Sequence, residues 1–166
     1  MKEVNPEVLT ENTFQLIGKD WMLITAKKDN KVNTMTASWG GMGIMWDQKV
    51  AIVVIRSHRF TKEFVDSSES FSLTVLDNSY RKTLGYLGTV SGREEDKIAK
   101  SNLTVAYEGE TPYFGEGRLV FVCKKLYAQP FSPDYFQEAG LDEEFYPEKD
   151  YHTMYIAKIE KVLVKD

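Results

Sequence analysis

One run, Val50-Ala-Ile-Val-Val-Ile55, closed off by Asp47 before it and Arg56 after it, constrains the chain more than any other feature. Side chains branched at Cβ lose rotamer freedom in a helix and pack well on a pleated surface, so this run predicts a strand buried on both faces. Shorter segments of the same kind surround it. Trp21 to Ala26 reads as an apolar strand, Lys27-Lys-Asp-Asn-Lys31 as a turn, and Val32 to Ala37 as the returning strand of a hairpin. Phe71 to Leu76 alternates strictly, and Leu103 to Tyr107, Leu119 to Ala128 and Met154 to Val164 also read as strands. Between them lie short helical patterns: Phe60 to Val65 beginning near Arg59, Tyr80 to Leu87, and Asp96 to Lys100. Ser91-Gly-Arg-Glu94 has the serine and glutamate three apart that define a capping box. Many strands with short helices and no regular β-α-β alternation predict a mainly β fold, an antiparallel barrel with helical insertions.

Composition narrows the class. The chain has 166 residues, 42% of them hydrophobic and 28% charged, which suits one ordered domain over 1–166 with a substantial core. Two histidines and a single cysteine, Cys123, leave neither a disulfide framework nor a Cys/His zinc set, and no metal is expected. No apolar run of signal-peptide or membrane-spanning length is present, so the expected location is the cytoplasm, away from membranes. A net charge of −4 argues against nucleic acid as a partner. Seven acids against Lys149 give Ser132–Asp150 a net of −6, leaving about +2 elsewhere, where an anion is welcome.

Three segments can carry chemistry, and each has a plainer reading. Asn33-Thr-Met-Thr-Ala-Ser-Trp39 begins as a strand and runs into Gly40, Gly41 and Gly43. Small residues at such an edge let backbone amides meet a flat ligand such as a flavin ring, with Met35 and Trp39 packing on it. The plainer reading is a hairpin strand followed by a glycine-rich loop. Arg56-Ser-His-Arg-Phe-Thr61 follows a strand and opens a helix, which aims backbone N–H groups and a helix dipole at one point. Arg56, Ser57, Arg59 and Thr61 can then clamp a phosphate; otherwise Ser57 caps the helix and Arg56, His58 and Arg59 lie on a solvated face. Gly85 to Lys97 combines glycines with Ser91 and Lys97, or is simply a helix end and a capping box. The chain lacks G-x-G-x-x-G and G-x-x-x-x-G-K, so a nucleotide would bind by other means. Cys123 lies in the apolar stretch Val120-Phe-Val-Cys-Lys124 and reads as a core residue.

In this order and at these separations, Asn33-x-Met-Thr-Ala-Ser-Trp39, Arg56-x-x-Arg59-x-Thr61 and Ser91-Gly-Arg-x-x-Asp-Lys97 resemble the flavin-contacting segments of the flavin reductase-like proteins with the FMN-binding split barrel. The resemblance runs from about Trp21 to Val164. It implies a split β-barrel and a cofactor site made of Asn33, Thr34, Met35, Thr36, Ala37, Ser38 and Trp39 for the ring, and Arg56, Ser57, Arg59 and Thr61 for the phosphate. It adds Ser91, Gly92 and Lys97, and places FMN at a homodimer interface. It also implies NAD(P)H-dependent flavin reduction, with hydride passed to flavin N5 and no separate catalytic residue, or else electron carriage of flavoredoxin type for a protein redox partner. The aromatic, acidic stretch up to Tyr151 and His152 reads either as a cover over the flavin of a partner subunit or as a surface loop held by its aromatics.

Overall fold

The computed structural model describes residues 1–165. Ten strands form in chain order: β1 Lys2–Val4, β2 Met22–Lys28, β3 Lys31–Ala37, β4 Gly40–Met45, β5 Gln48–Arg56, β6 Ser70–Val75, β7 Val105–Glu108, β8 Thr111–Phe114, β9 Leu119–Pro130 and β10 His152–Val164. The α-helical pieces are short: α1 Thr13–Gln15, which runs into a π-helical turn at Leu16–Asp20, α2 Phe60–Ser67, α3 Arg81–Thr89, α4 Lys97–Ser101 and α5 Leu141–Phe145.

Eight strands make one antiparallel sheet in the order β3-β2-β6-β9-β10-β5-β4, with β1 paired to the far end of β10. The two outermost strands of that order, β3 and β4, are consecutive in the chain and joined only by Ser38 and Trp39. The three steps from Ala37 to Gly40 reach no more than roughly 11 Å. The sheet must therefore curl until its ends meet, yet β3 and β4 share no ladder, so the barrel is split along that seam. The fold is the expected one.

Two tight hairpins tension the curl. Asp29 and Asn30 (φ 48° and 60°) join β2 to β3, and Trp46 and Asp47 (φ 50° and 55°) join β4 to β5; left-handed pairs of this kind match the twist of antiparallel strands. Gly40 to Gly43 is a correction to the sequence reading: these residues form β4, paired to β5 from Gly40↔Val53 to Gly43↔Val50, not a loop. Glycine is required at least at Gly40, where φ is 142° and a Cβ would sit 2.2 Å from Ile52 O.

The barrel interior holds Ile24, Met35, Val53, Ile55, Phe71, Leu73, Phe121 and Tyr155. Cys123 is fully buried there, and burial pushes its thiol pKa far up, as a core residue requires. Helix α2 buries Phe64 and Val65 against β2 and β3. A second cluster, Leu23, Leu76, Leu84, Leu87, Leu103 and Phe114, lies outside the barrel wall beneath α3. Strand β2 serves both, Leu23 facing out and Ile24 in, which is why it reads as unbroken apolar sequence. Strand β5 is different: Ala51, Val53 and Ile55 are buried, but Ile52 and Val54 are half-buried in the single chain.

Candidate functional site

A polar cavity of about 250 Å³ opens in the seam, lined by Met35, Thr36, Ala37, Ser38 and Trp39 on one side and by Val54, Arg56, Arg59 and His152 on the other. The two strand ends that the sequence singled out therefore share one cavity. Thr36 is held by its Oγ1, which donates to Leu84 O at 2.6 Å, and Gly88 lets α3 pack this close, since a Cβ there would sit 3.1 Å from Thr36 Cβ. Trp39 remains 42% exposed, with its ring 5.2 Å from His152 and 5.6 Å from Phe145.

The two arginines are placed differently. Arg56 gives Nη1 to both oxygens of Asp150 (2.7 and 2.8 Å) and Nη2 to Phe145 O at 2.8 Å, so a carboxylate already balances it. Arg59 gives Nη1 to Gly88 O at 2.7 Å, a neutral carbonyl. Burial and the repulsion of Arg56 lower its pKa, although it stays charged at any physiological pH. Arg59 is also the N-cap of α2 and makes no side-chain cap, so the first-turn amides of Phe60 and Thr61 have no partner from the helix. Ser57 does not cap the helix: its N–H donates to Tyr151 O at 3.3 Å and its side chain is exposed. Of the solvated face in the plainer reading only His58 is exposed, its Nδ1 3.2 Å from Asp150.

His152 and Val54 are cavity residues that the sequence did not assign. His152 stands opposite Arg56 in the β5–β10 ladder, and Val54 opposite Met154. Burial first, then Arg56, pushes the His152 pKa down to about 4, so the imidazole is neutral at neutral pH. Its Nδ1 lies 2.9 Å from the Tyr146 hydroxyl, whose own pKa burial raises. With both groups neutral they share one hydrogen bond, whose direction is set by the imidazole tautomer.

The remaining sequence candidates lie elsewhere. Thr34 is fully buried, its Oγ1 donating to Ile24 O and 3.0 Å from Thr25 Oγ1. Asn33, Gly92 and Lys97 line a separate cavity of about 670 Å³ beside α2 and α4. There Asn33 Nδ2 donates to Thr61 Oγ1 at 3.0 Å, and Gly92 is forced, since a Cβ would meet Asn33 Oδ1 at 2.4 Å. Lys97, 3% exposed, gives Nζ to Leu87 O and Val90 O (2.8 and 2.9 Å) and so satisfies the end of α3. Burial, with Arg59 nearby, lowers its pKa to about 8. The capping box is corrected as well. Ser91 Oγ accepts from the N–H of Arg93 in a turn, while Asp96 caps α4 by accepting from Ala99 N.

Residues 15–166 match the model of the flavin reductase like domain, and the chain belongs to that family. Among solved structures it is similar to a flavoredoxin from Methanosarcina acetivorans (18% identity, 100% of this chain and 76% of that one, TM-score 0.71). It is similar also to the flavoredoxin of Desulfovibrio vulgaris (21%, 100% and 77%, 0.70) and to the styrene monooxygenase flavin reductase of Pseudomonas putida S12 (15%, 89% and 80%, 0.66). At these identities the likeness establishes the fold. The comparison with curated sequences returns no match.

Proposed function

We propose that the seam cavity binds FMN and that the chain is an FMN-dependent oxidoreductase, most simply an NAD(P)H:flavin reductase. The observation that carries this is Arg59, a half-buried cation beside Arg56 that meets a neutral carbonyl at the mouth of an uncapped helix. A phosphate group supplies what that arrangement lacks: negative charge and several acceptors. Arg59 with the Phe60 and Thr61 amides would hold the phosphate, and the Met35–Trp39 edge with the neutral His152 would orient the ring. Bound FMN supplies hydride and single-electron exchange through that ring. The protein's part is to bind, orient and shield it.

A cavity of about 250 Å³ is smaller than the roughly 300–1,000 Å³ of a complete small-molecule site. Beside it Ile52 and Val54 are half-buried where the sequence demands burial on both faces, and Trp39 and Trp46 are 42% and 56% exposed. Both facts support a second copy packed on the outer face of β5 that completes the site. The likeness to two flavoredoxins supports a second reading, an FMN electron carrier serving a protein partner.

Titration of FMN against flavin fluorescence, followed by anaerobic addition of NADH and of NADPH, tests the proposal. Saturable binding and bleaching by either nicotinamide are expected. A yellow protein inert to both would favour the carrier, and failure to bind FMN would overturn both readings.

A further inference from the structure

Next to the seam, on the same outer face of the sheet, lies a larger cavity of about 470 Å³ walled by Pro130, Phe131, Tyr135, Phe136 and Met154, with Gln129 and Ser132 as its polar members. Its volume falls within the range of a small-molecule site. Among the described residues no charged side chain lines it. The nearest charge along the chain is Asp134, whose N–H is held by Ser132 Oγ at 3.4 Å, and Asp134 opens the stretch that carries a net −6.

The cavity is built and held. Phe131 N donates to His152 O at 2.8 Å, which fixes the floor. The Phe136 ring packs 5.8 Å from Tyr146 and 6.4 Å from Tyr151, and Tyr151 is itself anchored to Asp142 at 2.8 Å, which fixes the roof. Gln129 Oε1 accepts from Tyr127, leaving the amide N–H₂ as its donor.

The cavity also adjoins the seam. Met154 faces Val54 across the β10–β5 ladder, one residue lining each cavity. Cross-strand side chains of this kind stand roughly 5 Å apart. The rings of Phe131, His152 and Trp39 continue from one cavity to the other, with centroids 6.4 and 5.2 Å apart.

We infer that this cavity is a binding subsite for a neutral or cationic aromatic ring, held between Tyr135, Phe136 and Met154. Aromatic and thioether walls stack on a flat ring, and ring faces attract a cation. Asp134, between the lining residues Ser132 and Tyr135 in the chain, disfavours a carboxylate. Binding of the ring stands on the cavity alone. Its consequence, that the occupant sits where it can exchange electrons with a group in the seam, rests on the FMN reading.

The test is calorimetric titration of the intact protein, with and without FMN, using three probes of one shape: para-methoxyphenol, para-methoxybenzylamine and para-methoxybenzoate. The first two should bind without FMN, and the benzoate at least about tenfold more weakly. Tyr135→Ala, at a side chain 73% exposed and so harmless to folding, should weaken the phenol about tenfold. Met154→Ala should weaken it too, with FMN affinity unchanged. Equal affinity for all three probes would overturn the ligand class, and binding insensitive to both substitutions would overturn the location. Binding of none would overturn the subsite itself. Loss of FMN binding with probe binding intact would count against the FMN reading and leave this one standing.

Discussion

The seam cavity and the cavity beside α2 and α4 are built from the same kinds of residue and end in opposite states. Each has a half-buried or buried cation, a strand of β3 and a helix terminus. In the second cavity every one of these is consumed internally: Lys97 on two carbonyls, Asn33 on Thr61, Asp96 on Ala99. In the seam, Arg59 spends one N–H on a carbonyl and the start of α2 has no cap. Polar groups that answer one another fix a fold, whereas a cation that meets only a carbonyl and solvent retains donors for a ligand. On the FMN reading proposed above, the difference gives Asn33, Thr61, Gly92 and Lys97 supporting roles and Arg59 the binding one.

Lys97→Met probes the supporting side and carries the largest effect. Lys97 has a pKa of about 8 when folded against an ordinary 10.5. Below pH 8 it is charged in both states and adds no pH dependence. Between 8 and 10.5 the unfolded chain holds the extra proton, so stability rises with pH, by about 3 kcal/mol at full deprotonation. Urea midpoints for the wild type minus those for Lys97→Met should show that rise. A flat difference from pH 7 to 10.5 would place Lys97 in a solvated setting and break the contrast from that side.

Arg59→Ala probes the binding side. Losing charge-assisted bonds to a phosphate should cost about 1.5–3 kcal/mol, or about one to two orders of magnitude in FMN affinity. Riboflavin, which lacks the phosphate, should bind the variant and the wild type alike. An equal loss for both flavins would make Arg59 a structural residue, no different in kind from Lys97.

Thr61→Val sharpens the boundary. The substitution keeps volume but leaves Asn33 Nδ2 without its acceptor in a buried place, which should lower stability by about 1–2 kcal/mol. FMN affinity should change less than about threefold, since the Thr61 hydroxyl is already engaged by Asn33 and does not line the seam cavity. A loss of FMN affinity matching that of Arg59→Ala would merge the two cavities into one site.

The sequence made the barrel legible because its strands announce themselves locally. Val50 to Ile55 and Phe71 to Leu76 carry branching and alternation that no tertiary context needs to supply. Strand β4 was illegible: Gly40, Gly41 and Gly43 have no strand propensity, and they pair only because β5 lies alongside and Ile52 O leaves no room for a Cβ at Gly40. The site was half legible for a related reason. Residue types and chain order pick out Met35 to Trp39 and Arg59, but the division between cavities is set by which groups find partners across the fold. His152 belongs to the seam through its register opposite Arg56. Register between strands nearly a hundred residues apart leaves no mark on either strand alone.

The smallest effect expected is that of Tyr146→Phe, which tests whether the seam's histidine is a poised group or a packed one. His152 has a folded pKa of about 4 against an ordinary 6.5, so stability is lost as pH falls through that interval, where only the unfolded chain takes up the proton. If the Tyr146 hydroxyl donates to Nδ1, it favours the neutral ring. Removing it should cost about 0.5–1.5 kcal/mol at pH 7, and should also raise the His152 pKa, shrinking the further loss between pH 6.5 and 4. Urea midpoints at pH 7 and 4.5 for the two proteins measure both quantities. A variant that lost more stability on acidification than the wild type would mean that the phenol favours the charged ring instead. The seam would then present a second unanswered cation beside Arg59.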